Sequence, residues 1–189
     1  MKRRRSKLDK KKLKKVKLLA LDVDGVLTDG KITYTNKGEE LRTFSFLDIM
    51  GLSLARRHGL HIAVVSGEQN AVIDRLMAKL GIKEVHQNCK DKLSAIEKVC
   101  ETYRISLEET CFIGDDVNDL PVLKRVGIAV TTPNASSRVL SEIPCRTRHP
   151  GGEGAVREVV DRILGAHTQL RPTGGILEKR FQSSKRTKR

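Results

Sequence analysis

The chain has 189 residues, 38% of them hydrophobic and only 3% aromatic, with no Trp and a formal net charge of +14. That length carries one domain with a core of useful size, and the scarcity of rings excludes a site built as a cage of stacked aromatics. The charge points to nucleic acid only until it is located: residues 1–17 hold eleven Lys/Arg against one acid, residues 168–189 hold seven against one, and 18–167 are left at −2.

In chain order, the first segment is a basic N-terminal tail, 1–17. The run "VKLLALDVD" that follows reads as a buried strand ending in two carboxylates, Asp22 and Asp24. Its apolar core, Leu18 to Leu21, is far too short for a secretory signal or a membrane span, so a cytoplasmic protein is expected. Segment 30–46, "GKITYTNKGEELRTFSF", alternates like two strands around Asn36-Lys37-Gly38 and predicts a hairpin; Asp29 belongs to the turn that launches it. "HIAVVSG" (61–67) is a second buried strand. It is followed by "AVIDRLMAKLG", which places Val72, Ile73, Leu76 and Leu80 on one helical face and stops at Gly81.

"DKLSAIEKVCETY" places Leu93, Ile96, Val99 and Cys100 on one face in the same way. The short β-branched runs "CFIGDD" (111–116) and "VGIAVTT" (126–132) are two further strands. "GAVREVVDRILG" is a last amphipathic helix, and 167–189 a basic C-terminal tail. The four cysteines show no C-x-x-C spacing and the five histidines no zinc-ligand spacing, so reduced thiols are expected. The alternation predicts an α/β fold for 18–166: a Rossmann-like parallel sheet with helices on both faces, plus the β-hairpin insertion.

In such sheets ligands bind beyond the carboxyl ends of the strands. Asp22 and Asp24, Ser66-Gly67 and Asp115-Asp116 all fall at such ends. Carboxylates gathered there repel one another, and a hard divalent cation such as Mg²⁺ removes the conflict while bridging to a substrate phosphate. Lys92 opens a helix and can neutralise charge developing on phosphorus. Ser66, with the amides of Gly67 and Glu68, offers phosphate donors at a helix start. A carboxylate can act as a nucleophile toward phosphorus while a neighbouring one moves the proton.

The order "DVDGV", "VVSG", the lysine of "DKLSA" and "GDDVND" resembles the four motifs of the haloacid-dehalogenase-like phosphohydrolases. The resemblance implies Asp22 as the nucleophile that forms an aspartyl-phosphate and Asp24 as the general acid/base. It implies Mg²⁺ on the Asp22 carboxylate, the Asp24 carbonyl and the Asp115 carboxylate, with Asp116 and Asp119 in support and Ser66 and Lys92 on the phosphoryl group. The gaps between the motifs leave no room for a cap domain.

"DVDGVLTDGKI", "GEELRTFSF", "GDDVNDLPVLKRVGIAV" and "GGEGAVREVVDRIL" resemble the 3-deoxy-manno-octulosonate 8-phosphate phosphatases over about 18–166. That resemblance implies a homotetramer serving lipopolysaccharide biosynthesis, with the C-terminal Gly-rich segment covering a neighbour's site. It also implies a substrate-contacting loop at Ser45–Ile49 with Asp48 as its acid, and Ile49 stands where the family has glycine. Glu68 in "SGEQN", paired with Lys79, instead resembles the related 2-keto-3-deoxynonulosonate (or N-acylneuraminate) 9-phosphate phosphatases. A non-enzymatic alternative is a binding protein whose basic tails grip RNA or an anionic membrane.

Overall fold

The computed structural model describes residues 9–168. Its main sheet has the spatial order β5 (Glu84–His86), β4 (His61–Val65), β1 (Leu18–Leu21), β6 (Thr110–Ile113), β7 (Ile128–Val130), and every pairing is parallel. The chain builds outward from β1 to β4 and β5, then returns to the other side of β1 for β6 and β7. The reversal occurs beside β1, which is the switch point where such sheets open a crevice.

Strand periodicity explains the two-faced core. Leu19 and Leu21 of β1 enter one cluster with Leu52 and Ala55 of α2 (Phe46–Arg57), Ile73 and Met77 of α3 (Ala71–Leu80), and Val156, Val160 and Ile163 of α7 (Ala155–Thr168). Leu18 and Ala20 point the other way. They meet Ile96 and Val99 of α4 (Lys92–Tyr103), Leu123 of α5 (Leu120–Leu123) and Val139 of α6 (Ser137–Glu142). Both faces are covered, as a parallel sheet requires.

The hairpin stands apart from this sheet as β2 (Thr33–Tyr34) and β3 (Glu40–Leu41), paired antiparallel. Between Asp24 and Ser66 lie only this hairpin, α2 and β4; between Lys92 and Asp115 only α4, a 3₁₀ turn at Leu107–Glu109 and β6. No cap domain occupies either gap.

Two sequence expectations change. Strand β5 has no signature in the apolar pattern, because it is a three-residue edge strand with every residue half-buried. The N-terminal boundary at residue 17 also moves. Within the basic run, α1 (Lys10–Leu13) is capped by the Asp9 side chain, and Leu13 and Val16 are buried in the core. The Leu13 carbonyl lies 3.1 Å from His167 Nε2 of α7, and the Lys17 amide donates to the Glu109 carbonyl at 2.8 Å. Lysines on the outer face had masked an amphipathic turn. α7 runs on to Thr168; the expected tail residues 1–8 and 169–189 lie outside the described residues.

If this segment belongs to the body, Leu13→Ala should cost about 2–4 kcal/mol of unfolding free energy, the range for emptying a buried leucine site. A urea melt checks this, since a residue in a solvated tail would leave the midpoint unmoved.

Candidate active site

The parallel register sets Leu21 against both Val64 and Ile113, so the chains leaving β1, β4 and β6 emerge together. Asp22 is still tied to the sheet by its amide, which donates to the Ile113 carbonyl at 2.9 Å. The first residue of α4, Lys92, reaches in from below with its side chain 1% exposed. Its Nζ lies 2.9 Å from Asp22 Oδ1 and 2.7 Å from Asp119 Oδ1. Asp119 spends its other oxygen on the amides of Asp115 and Asp116, at 2.9 and 3.1 Å, and so shapes the loop after β6.

One buried cation thus faces three carboxylates, since oxygens of Asp22, Asp115 and Asp119 all lie within 4.8 Å of one another. Burial, with Asp119's charge, pushes the Asp22 carboxyl up to about 6 even against the pull of Lys92. Asp115 is pushed up to about 8 by burial and by Asp22, Asp119 and Asp116. Burial opposes the charge on Lys92, but Asp22 and Asp119 overcome it and hold its pKa above the ordinary lysine value.

The donor set fits a hard divalent cation. Asp115 Oδ1 is buried without a hydrogen-bond partner among the described residues, and a second positive charge would relieve the repulsion that raises both carboxyls. Both Asp119 oxygens are already engaged, so Asp22 and Asp115 are the residues left to hold such an ion, with Asp119 orienting them.

Gly25 makes this closeness attainable. Its φ of +89° is a conformation side chains rarely adopt, and a Cβ there would stand 2.0 Å from Asp115 Oδ2. The loop is latched from the far end of the chain. Asn134 Nδ2 and Thr132 Oγ1 donate to the Gly25 carbonyl at 3.0 and 3.3 Å, while Asn134 Oδ1 accepts from the Gly151 amide at 2.8 Å. A Cβ at Gly151 would meet the Gly25 oxygen at 1.9 Å. The Gly-rich segment expected over a neighbour's site packs, at residues 151–152, on this chain's own loop after β1.

Ser66 is buried at the end of β4, and its oxygen accepts from the Glu68 amide at 3.1 Å. The hydroxyl hydrogen remains available to an oxyanion. Gly67 is half-buried and Glu68 exposed at the same mouth. Asp116 is exposed and accepts from the Val117 amide at 2.7 Å, a turn role beside the cluster.

Within this chain Asp48, Ile49 and Lys79 are placed as follows. Asp48 is fully buried on α2, where its carboxylate accepts from the amides of Gly154 and Arg157 at 2.9 Å each and holds the start of α7. Ile49 sits inside α2, so the position makes no demand for glycine. Lys79 lies exposed in the last turn of α3, a helix length from the crevice, and no ion pair joins it to Glu68 among the described residues. Sequence reasoning also missed Arg42. Its Nη1 stands 2.6 Å from both oxygens of Asp24, and its only signal was the two-residue spacing of Glu40 and Arg42 on one face of the hairpin.

Residues 68–158 match the model of the haloacid dehalogenase-like hydrolases. The 3-deoxy-D-manno-octulosonate 8-phosphate phosphatase KdsC of Escherichia coli K12 is 37% identical over 159 residues, covering 84% of this chain and 85% of that protein. The chain belongs to this phosphatase branch of the haloacid dehalogenase-like hydrolases. Among solved structures, a putative hydrolase of the superfamily from Legionella pneumophila is 42% identical, with a TM-score of 0.82 over 85% of this chain and 88% of that one. The 3-deoxy-D-manno-octulosonate 8-phosphate phosphatase of Moraxella catarrhalis, solved with magnesium, phosphate and KDO, is 33% identical. Its TM-score is 0.81 over 93% of this chain and 96% of that one.

The raised carboxyls make the stability of this family member depend on metal and pH. Asp22 and Asp115 bind protons more tightly folded than unfolded, so they stabilise the fold at acid pH. That contribution drains away as pH climbs from 3.8 through about 6 and about 8. Melting in chelator and in Mg²⁺ should therefore show a Mg²⁺ increment in Tm that grows across this window. Asp115→Asn should flatten the growth.

Proposed function

We propose that the protein hydrolyses 3-deoxy-D-manno-octulosonate 8-phosphate to the free sugar acid and phosphate. The observation that carries this is the Lys92-bridged cluster of Asp22, Asp119 and Asp115 at the strand ends of a chain in this phosphatase branch.

Lys92 holds Asp22 Oδ1 at 2.9 Å, and the other carboxylate oxygen attacks phosphorus. A bond forms between that oxygen and phosphorus as the bond to the sugar oxygen breaks. The leaving oxygen keeps the electron pair and takes a proton from Asp24. Water then attacks the aspartyl-phosphate and gives its proton back to Asp24, and the Asp22 carboxylate is released. Lys92 and the Ser66 hydroxyl hold the phosphoryl oxygens through both steps. Mg²⁺ held by Asp22 and Asp115, with the Asp24 carbonyl as a further ligand, would supply charge neutralisation on the phosphoryl group.

With no cap over the crevice, cover has to come from another molecule, and a homotetramer is the assembly this reading favours. Phe46, Tyr34 and Leu47 are 85%, 63% and 56% exposed on the hairpin and the first turn of α2, an apolar face beside the site. Four cysteines outside any disulfide, three of them buried, fit a reducing cytoplasm. No helix among the described residues is long and apolar enough to cross a membrane. Nothing supports the non-catalytic reading on RNA or membrane.

Phosphate release from the eight-carbon and nine-carbon sugar acid phosphates in Mg²⁺ tests this. Preference for the eight-carbon compound is expected, with Asp22→Asn inactive. Release from neither compound, with Asp22→Asn indistinguishable from wild type, would end the proposal. Gel filtration of wild type beside Phe46→Glu checks the assembly: the wild type should elute as a tetramer and the variant at lower mass.

A further inference from the structure

Arg42 stands outside the four motifs, yet among the described ion pairs only Lys92 has a basic side chain more enclosed. The side chain is 3% exposed, with Nη1 at 2.6 Å from Asp24 Oδ1 and from Oδ2. Its Nε donates to Glu40 Oε1 at 2.7 Å. The same Glu40 oxygen accepts from Asn70 Nδ2 at 2.9 Å, and Asn70 is the N-cap residue of α3, its backbone amide donating to Gln87 Oε1 at 2.6 Å.

An unbroken polar chain thus runs from Asp24 through Arg42 and Glu40 to the start of α3. Enclosing an arginine is costly unless its partners are placed to meet its donors. Here one carboxylate takes the end of the guanidinium and another takes its waist. The hairpin strands are otherwise exposed, so this chain ties the hairpin base to the body. Asp24 itself is 28% exposed at the side chain and has, among the described residues, one further hydrogen-bond partner, the Thr28 hydroxyl at 3.5 Å. The direction of its carboxylate is therefore set chiefly by Arg42.

We propose that Arg42 is a positioning residue that aims the Asp24 carboxylate at the leaving oxygen of the substrate, with Glu40 and Asn70 holding Arg42 from behind. The inference rests on the reading of this site as a phosphatase in which Asp24 supplies the leaving-group proton. Arg42 meets the carboxylate oxygens of Asp24 and not its backbone carbonyl, and it acts through that carboxylate. Its removal leaves Asp22, Lys92 and Ser66 in place but lets the proton donor wander. The loss should therefore scale with how badly the leaving group needs a proton. A sugar alkoxide needs one, whereas p-nitrophenolate departs as a stable anion.

The test compares single-turnover formation of the phospho-enzyme, in Mg²⁺, from 3-deoxy-D-manno-octulosonate 8-phosphate and from p-nitrophenyl phosphate. Arg42→Met is expected to slow the sugar phosphate about 100-fold, the low end for losing acid–base catalysis. The p-nitrophenolate burst should slow less than about 10-fold. Arg42→Lys keeps the charge without the fork and should recover part of the difference, and Glu40→Gln should show a weaker loss of the same kind. Should Arg42→Met fail to fold, as judged by its melt, the ratio of the two losses is read on Arg42→Lys and Glu40→Gln. Equal slowing of both substrates, or none on the sugar phosphate, overturns the role for Arg42 while leaving the phosphatase intact. A wild-type enzyme inactive on both substrates overturns the phosphatase reading, and this inference falls with it.

Discussion

Everything at the crevice follows from a charge imbalance that the fold enforces. Three parallel strands end together, two of the chains leaving them carry carboxylates, and a third carboxylate, Asp119, closes the loop above. Lys92 answers only part of that negative charge. Buried like charges a few ångströms apart cannot all ionise without help. The site is therefore a place of stored repulsion, which a cation and a phosphoryl group relieve together. The surrounding devices serve this closeness: Gly25 gives way to Asp115, Asp119 ties down the loop amides, and Lys92 enters from a helix start where its stem is covered by the core.

How much of this could be read from residues alone depended on how local the signal was. Asp22, Ser66, Lys92 and Asp115 each sit at the junction of an apolar run with a turn or helix start, so type and place agreed and the crevice was legible. Asp48 was placed in a substrate loop by resemblance alone, with no local signal of its own. The same acid is a good helix partner, and its oxygens went to the amides of α7, more than a hundred residues away. Lys79 followed Glu68 at a suggestive spacing, but that spacing runs the length of a helix and carries the lysine to the opposite end of the sheet. β5 was too short and too polar to announce itself, and α1 was hidden by its own lysines. For Asp48, β5 and α1 the deciding partner was distant in sequence.

The hairpin shows the same division of labour. Its alternation was plain, but the reason one face holds Glu40 and Arg42 appears only when Asp24 and Asn70 are seen beside them. Two short strands with little apolar burial contribute little to the core. What they deliver is a guanidinium, placed with both neighbours fixed. The exposed Ile32, Tyr34 and Leu41 of the same element would be covered in the proposed assembly, while Arg42 beside its base reaches inward to Asp24.

The latch from Asn134 and Gly151 onto the Gly25 carbonyl has a consequence for how the enzyme comes into being. Asp22 is among the first residues of the body to leave the ribosome, but the loop that follows it is not clasped until Gly151 has been made. A nascent chain therefore spends most of its synthesis with its reactive carboxylates present and its active centre unfinished. The clasp on the Gly25 carbonyl closes late, after the last strand of the sheet has been made, so a chain cut short before residue 151 lacks part of what shapes this loop even where most of the sheet has formed.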